Sequence, residues 1–194
     1  MRIITGTAKG IQLATLEGDT TRPTSERAKE AIFSAIQFDL EGRRALDLFA
    51  GSGQLGLEAL SRGAESAMFI DASPEAMAVI KDNAKRTKLF DRSRFLISDY
   101  RSYIRKAGGK ETFGLILIDP PYGLRCVGDA LERILHAGIA SPGCLLVCES
   151  GDEDIFAAKA YLSRHFDEIK RAKYGVSYIR ILQYKGDVGH GEAL

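Results

Sequence analysis

Residues 45–60 read Ala45-Leu46-Asp47-Leu48-Phe49-Ala50-Gly51-Ser52-Gly53-Gln54-Leu55-Gly56-Leu57-Glu58-Ala59-Leu60. An apolar run ends at Phe49, a loop of small residues follows, and Leu57, Ala59 and Leu60 then continue as a helix. Strand, glycine loop, helix is the opening unit of an open α/β sheet. Small residues let the backbone approach a ligand, and the helix N-terminus can face a negative group. Asp47, Phe49, Ala50, Gly51, Ser52, Gly53 and Gly56 are therefore candidate binding residues.

Downstream, the same alternation repeats. Ala67-Met68-Phe69-Ile70 ends at Asp71, and a helix opened by Pro74 runs to about Lys88. Arg94-Phe95-Leu96-Ile97-Ser98 ends at Asp99-Tyr100, and Leu115-Ile116-Leu117-Ile118 ends at Asp119. Ligands of open parallel sheets bind outside the C-terminal strand ends, so the loop and these acids share one rim. Asp71 is placed for the two ribose hydroxyls of an adenosine. Asp99, with Tyr100 beside it, is placed for the adenine amine, although Asp99 also fits as the N-cap of the next helix. The spacing Gly51-x-Gly53-x-x-Gly56 suits NAD as well as S-adenosylmethionine. Asp47 decides for the latter: a carboxylate under the loop repels a pyrophosphate and attracts a cationic amino group.

Asp119-Pro120-Pro121-Tyr122 then closes the fourth strand. Two prolines fix φ and leave the backbone with carbonyl acceptors and no donors, between a carboxylate and an aromatic ring. A planar group carrying an N–H₂ fits there, with Asp119 and the Pro120 carbonyl each accepting one hydrogen and Tyr122 stacking on a flipped base. A plain strand-ending turn is the simpler account of Pro-Pro alone, but not of Asp-Pro-Pro-Tyr after four aliphatic residues.

The rest of the chain reads as support. Arg2-Ile3-Ile4 and Ile11-Gln12-Leu13-Ala14 flank a glycine-bearing turn, an N-terminal hairpin appended over residues 1–20 that must lean on the main body or on a partner. Its Arg2 and Lys9 could meet phosphate and Arg22, ahead of the first helix, could bind an anion; with Thr24, which suits an N-cap, they are candidate substrate-binding residues. After a helix over Asp129–Leu135 come a fifth strand over 143–149, whose Glu149 could face the site but fits the surface better, a helix over Phe156–Tyr161, and a closing strand pair over 166–170 and 177–182. Residues 21–184 form the main domain and 185–194 a loose tail.

Among the 194 residues, 45% are hydrophobic and 27% charged, enough to fill one core. The net charge of +1 excludes a global basic field, so any nucleic-acid contact must be local. Cys126, Cys144 and Cys148 have neither disulfide nor zinc spacing, and no apolar run has membrane length. The expectation is a cytoplasmic monomer with no metal and no membrane contact.

With both motifs placed, the sequence resembles the class I S-adenosylmethionine methyltransferases, and more narrowly the RsmD family of bacterial 16S rRNA guanine-N2 methyltransferases. The likeness also runs through Arg2-Ile3-Ile4-x-Gly6, Thr21-Arg22-Pro23-Thr24, Arg27-x-Lys29-Glu30-Ala31-x-Phe33 and Leu57-Glu58-Ala59-Leu60-Ser61-Arg62-Gly63. It implies a Rossmann-like α/β fold with a seven-stranded, mostly parallel sheet whose last strand is antiparallel, plus the N-terminal hairpin gripping RNA. It further implies S-adenosylmethionine along Asp47–Gly56, Asp71, Asp99 and Tyr100, and catalysis by Asp119, Pro120, Pro121 and Tyr122. The expected partner is 16S rRNA in an assembling or assembled small ribosomal subunit. At Thr7-Ala8-Lys9-Gly10-Ile11-Gln12 the chain lacks the aromatic and extra basic residues usual in the family, so the resemblance carries the chemistry further than the RNA contacts. Two other readings stand beside it: an adenine-N6 methyltransferase of DNA or RNA, for which the chain has little room for a target-recognition domain, and a non-catalytic RNA-binding or assembly factor.

Overall fold

The computed structural model describes residues 1–16, 26–121, 126–152 and 154–186. Helix α1 (Glu26–Ala35) precedes β1 (Arg44–Asp47), α2 (Gln54–Ser61), β2 (Ser66–Asp71), α3 (Pro74–Arg86), β3 (Ser93–Ile97), α4 (Tyr100–Ala107), β4 (Phe113–Ile118), α5 (Val127–Ala137), β5 (Ala140–Ser150), β6 (Phe166–Tyr174) and β7 (Ser177–Tyr184). One sheet has the order β3-β2-β1-β4-β5-β7-β6. The pairs from β3 through β5 are parallel, and β7 runs antiparallel to both β5 and β6. The expected Rossmann-like sheet is thus present. Strand order reverses between β1 and β4, which is where such sheets open a ligand crevice.

The aliphatic runs become strands because both faces of the sheet are covered. Leu115 and Leu117 of β4 pack into a core with α1, α2 and α3, while Ile116 and Ile118 pack into a second core with α4 and α5. Local signals set the helix ends. Ser73 caps α3 by accepting the Ala76 N–H at 3.0 Å, with Pro74 at the first helical position. Gly138 stops α5 at φ 63°.

Residues expected to form a helix over Phe156–Tyr161 instead make a turn followed by a 3-10 turn over Ala160–His165. The Asp154 carboxylate accepts the Phe156 N–H at 2.9 Å, and Lys159 leaves the helical region at φ −148°, ψ 60°. Such side-chain capture competes with the helical ladder at its first turn.

Residues 1–16 pack into the core, their two arms joined by the isolated antiparallel bridge Arg2–Gln12. Ile3 accepts the Gly10 N–H at 2.8 Å and donates to the Ile11 carbonyl at 3.0 Å; Leu13 donates to the Met1 carbonyl at 2.9 Å. Ile3, Ala8 and Leu13 are buried in the core that holds α1 to α3. Glu58 of α2, fully buried, accepts the N–H groups of Ile4 at 2.8 Å and Thr5 at 3.1 Å, and pairs with Lys29 at 3.4 Å and Arg62 at 2.8 Å. Lys29, also buried, donates to the Arg2 carbonyl at 2.6 Å. A buried charge is tolerated only with this degree of pairing. Thr24, read as an N-cap, and most of the tail lie outside the described residues.

No helix among the described residues is long and apolar enough to cross a membrane. All three cysteines are buried, and burial pushes the Cys144 and Cys148 thiols up to about 12 and that of Cys126 to about 11.

Candidate active site

A cavity of about 540 Å³ opens at the C-terminal ends of β1, β2, β4 and β5. Asp47, Phe49, Ala50, Gly51, Ser52, Asp71, Asp99, Tyr100, Asp119, Pro120 and Pro121 all line it. Sheet register explains this convergence. Asp47 is level with Phe69 and Leu117, and Leu117 with Val147. Two residues further along β2 and β5, on the same face, stand Asp71 and Glu149, and Asp119 follows the last residue of β4. Period-two alternation therefore puts Asp71 and Glu149 at the rim and Asp47 one step, roughly 6.6 Å, deeper.

Asp47 is only 1% exposed. Its Oδ2 accepts the Gly56 N–H at 3.0 Å, while Oδ1 has no partner. Burial pushes its pKa from 3.8 up to about 7; the Gly56 hydrogen bond opposes this and the nearby Asp71 charge adds to it. A buried carboxylate with an unmet acceptor at the base of a cavity is suited to a cationic ligand group.

The glycines divide by task. Gly51, at φ 53°, shapes the loop and donates its N–H to Asp71 Oδ2 at 2.8 Å. Gly53 and Gly56 do not line the cavity. A Cβ on Gly56 would stand 2.4 Å from the Phe69 ring and 3.2 Å from Asp47 Oδ2, so this glycine lets α2 sit close against the sheet. One on Gly53, at φ 80°, would meet Ile80 at 3.0 Å. Both let helices pack closely behind the loop.

Asp71 Oδ1 accepts the Ser73 N–H at 2.9 Å, and each of its oxygens keeps further lone-pair capacity. Asp99 does both things its position allows: it caps α4, with Oδ1 accepting the Ser102 N–H at 3.0 Å, and it faces the cavity. That hydrogen bond lowers its pKa. The Tyr100 ring packs 5.1 Å from Phe49, but its hydroxyl points away and donates to Asp129 at 2.7 Å. Burial and this hydrogen bond push it up to about 12. Asp129 also accepts from Arg101 and Arg133, which outweigh its own burial and hold its pKa low.

Tyr122, Arg22 and Thr24 lie outside the described residues. Arg2 and Lys9 stay out of the cavity: Arg2 pairs with Glu26 at 3.3 Å, and Lys9 is exposed. Other residues enter that sequence patterns did not bring there. Met1, Thr15 and Leu16 cover the cavity from the N-terminal segment, and Glu149, Ser150, Gly151 and Ser177 wall it beside Asp119. Glu149, expected at the surface, is half-buried there. Its position as another acid closing an aliphatic strand is what allowed the site-facing alternative in sequence. Asn83, fully buried, ties the N-terminal segment to the glycine loop. It donates to the carbonyls of Ala14 and Ser52, both at 2.9 Å, and accepts the Ala14 N–H at 2.8 Å.

Comparison with known proteins places this geometry. Residues 1–183 match the family described as conserved hypothetical protein 95. YlbH of Bacillus subtilis is 43% identical over 123 residues, covering 63% of this chain and 67% of that protein. The ribosomal RNA small subunit methyltransferase D of Haemophilus influenzae is 28% identical over 151 residues, covering 77% and 78%. Among solved structures, yhhF from Escherichia coli superimposes with a TM-score of 0.81 at 26% identity, over 95% of this chain and 98% of that one.

Proposed function

Because the chain belongs to the conserved hypothetical protein 95 family, the RsmD family, we propose that it transfers the methyl group of S-adenosylmethionine to the exocyclic N2 amine of a guanine in 16S rRNA. The substrate is the cytoplasmic small ribosomal subunit, assembling or assembled, and the enzyme acts as a monomer. The observation that carries this reading is the single cavity shared by the glycine loop, Asp47, Asp71 and Asp99 on one side and Asp119-Pro120-Pro121 on the other.

The residues present fit that cofactor. The unpartnered Oδ1 of Asp47 accepts from its cationic amino group, Asp71 takes the ribose hydroxyls, and Asp99 accepts from the adenine amine beside the Phe49 and Tyr100 rings. S-adenosylmethionine, when bound, supplies a methyl carbon activated by a positively charged sulfur.

Asp119 and the Pro120 carbonyl accept the two hydrogens of the guanine amine. This turns the nitrogen lone pair, otherwise conjugated with the ring, toward the methyl carbon. Tyr122 follows in sequence to stack on the base. With the cofactor bound, Asp119 and Pro120 aim that lone pair at its acceptor, the methyl carbon, and Asp119 passes to water the proton that the methylated nitrogen sheds. Asp119 needs no great basicity, because the methylated nitrogen is strongly acidic. Alignment of two bound reactants supplies most of the rate, up to the roughly 10⁵–10⁸ M effective molarity that orientation can reach.

Labelled S-adenosylmethionine, incubated with small-subunit particles from a strain lacking the activity, tests the reading by nucleoside analysis. Label in N2-methylguanosine of 16S rRNA is expected. Label in N6-methyladenosine overturns the choice of base, and no transfer to any RNA overturns the reading as a whole.

A further inference from the structure

Asp119 and Pro120 explain how an amine is held but not which base carries it, since guanine, adenine and cytosine all present an N–H₂. What separates them is the ring nitrogen beside the amine. In guanine it is N1–H, a donor; in adenine it is N1 and in cytosine N3, both bare acceptors. The group next to the amine clamp is therefore the group that can choose.

Glu149 stands at that place. Parallel pairing of β4 with β5 runs to Ile118 and Cys148, so Asp119, just past the end of β4, and Glu149 of β5 follow on adjacent segments, one strand spacing of about 4.8 Å apart. Cys148 is buried in the core under α4 and α5, so Glu149, the next residue of β5, turns to the opposite face. On the far side of β5, Glu149 is level with Ile179 of β7, which packs into the core of that same opposite face. Asp119 and Glu149 both line the cavity, and Glu149 is half-buried there.

We propose that Glu149 is the specificity residue of the site, its carboxylate accepting the N1–H of the target guanine while Asp119 and Pro120 accept from N2. This rests on the function proposed above and names the feature of the base that is read. Against adenine or cytosine, the carboxylate faces a lone pair. Two acceptors are then left opposed in a closed site, a mismatch that rejects an analogue far more strongly than a lost apolar contact does. Selection is thus by repulsion of the wrong base as well as by attraction of the right one.

The test uses 2-aminopurine, which keeps the N2 amine but has a bare N1. Small-subunit particles are reconstituted with 16S rRNA carrying guanosine or 2-aminopurine riboside at the methylated nucleotide, and kcat/KM is compared for wild type and Glu149→Gln. The wild type is expected to favour guanosine on the order of 10²-fold, about the worth of one charged hydrogen bond. The glutamine amide can donate to a bare N1, so the variant should bring the two substrates to within about tenfold. Comparing the two enzymes cancels any difference in intrinsic reactivity between the amines. A wild-type ratio near one, a variant that keeps the wild-type ratio, or an equal loss on both substrates overturns the role of Glu149 while leaving the function standing. Failure of the wild type to methylate the guanosine particle overturns the function, and this inference with it.

Discussion

Asp47 has the most perturbed environment in the cavity. Its pKa of about 7 means that the folded chain keeps a proton that the unfolded chain releases near pH 3.8. Stability without cofactor therefore falls as pH rises from about 4 to about 7, because ionising Asp47 in place costs free energy. A cationic ligand favours the ionised form, so binding expels the proton. The affinity for S-adenosylmethionine should rise with pH up to about 7 and then level off. Asp47→Asn, whose amide oxygen still accepts the Gly56 N–H, should bind more weakly and lose this rise, and should be more stable relative to wild type at pH 8 than at pH 5. Calorimetric titration across this range checks the first expectation and thermal melts the second; an unchanged pH profile in the variant would contradict the assignment. The carboxylate itself was legible as a strand residue under a glycine loop. Its protonation was not, because that depends on burial by elements distant in sequence. Glu149 was legible as a strand-end acid that could face the site, but an acid after an aliphatic run fits the surface better until strand order puts it beside Asp119.

At the scale of elements, α2 holds the site together. All eight of its residues are buried, between the sheet on one side and the N-terminal hairpin on the other. Strand, loop and helix were legible because an apolar run covered on both faces and a cluster of small residues are local signals. Gly56 was legible as part of a motif, but its task was not: the ring of Phe69, on the neighbouring strand, requires it. The buried group of Lys29, Glu58 and Arg62 was legible only as helical charge, since nothing local says that a hairpin covers it. Glu58→Gln keeps the shape but leaves Lys29 and Arg62 without their counter-charge. It should cost about 3–5 kcal/mol, the usual penalty for breaking a buried ion pair from one side. Denaturant unfolding measures it, and a loss under about 1 kcal/mol would show the group to be well hydrated instead. The lost helix over Phe156–Tyr161 teaches the converse: Ile155, Phe156 and Leu162 reach the core from turns, so burial there does not require the helix that their spacing suggests.

Across the whole molecule, the hairpin, the sheet and both helical layers should open together, since Ile3, Ala8 and Leu13 share a core with α1 to α3. The amides of Ile4 and Thr5, bonded to buried Glu58, are expected to exchange with solvent about as slowly as those of β1. Fast exchange there would mean that the hairpin opens by itself. This unity matters for function, because the N-terminal segment supplies Met1, Thr15 and Leu16 to the cavity, and Asn83 fixes that segment to the glycine loop. The central claim is that one cavity holds the methyl donor by the β1 and β2 side and the target amine by Asp119. The most direct measurement is single-turnover methyl transfer by Asp119→Ala at saturating S-adenosylmethionine, with cofactor affinity titrated on the same protein. The account predicts a rate lower by at least about 10²-fold, in the range of losing one positioning acceptor, with cofactor affinity within a few-fold of wild type. An intact rate, or a rate lost only because the cofactor no longer binds, would contradict it.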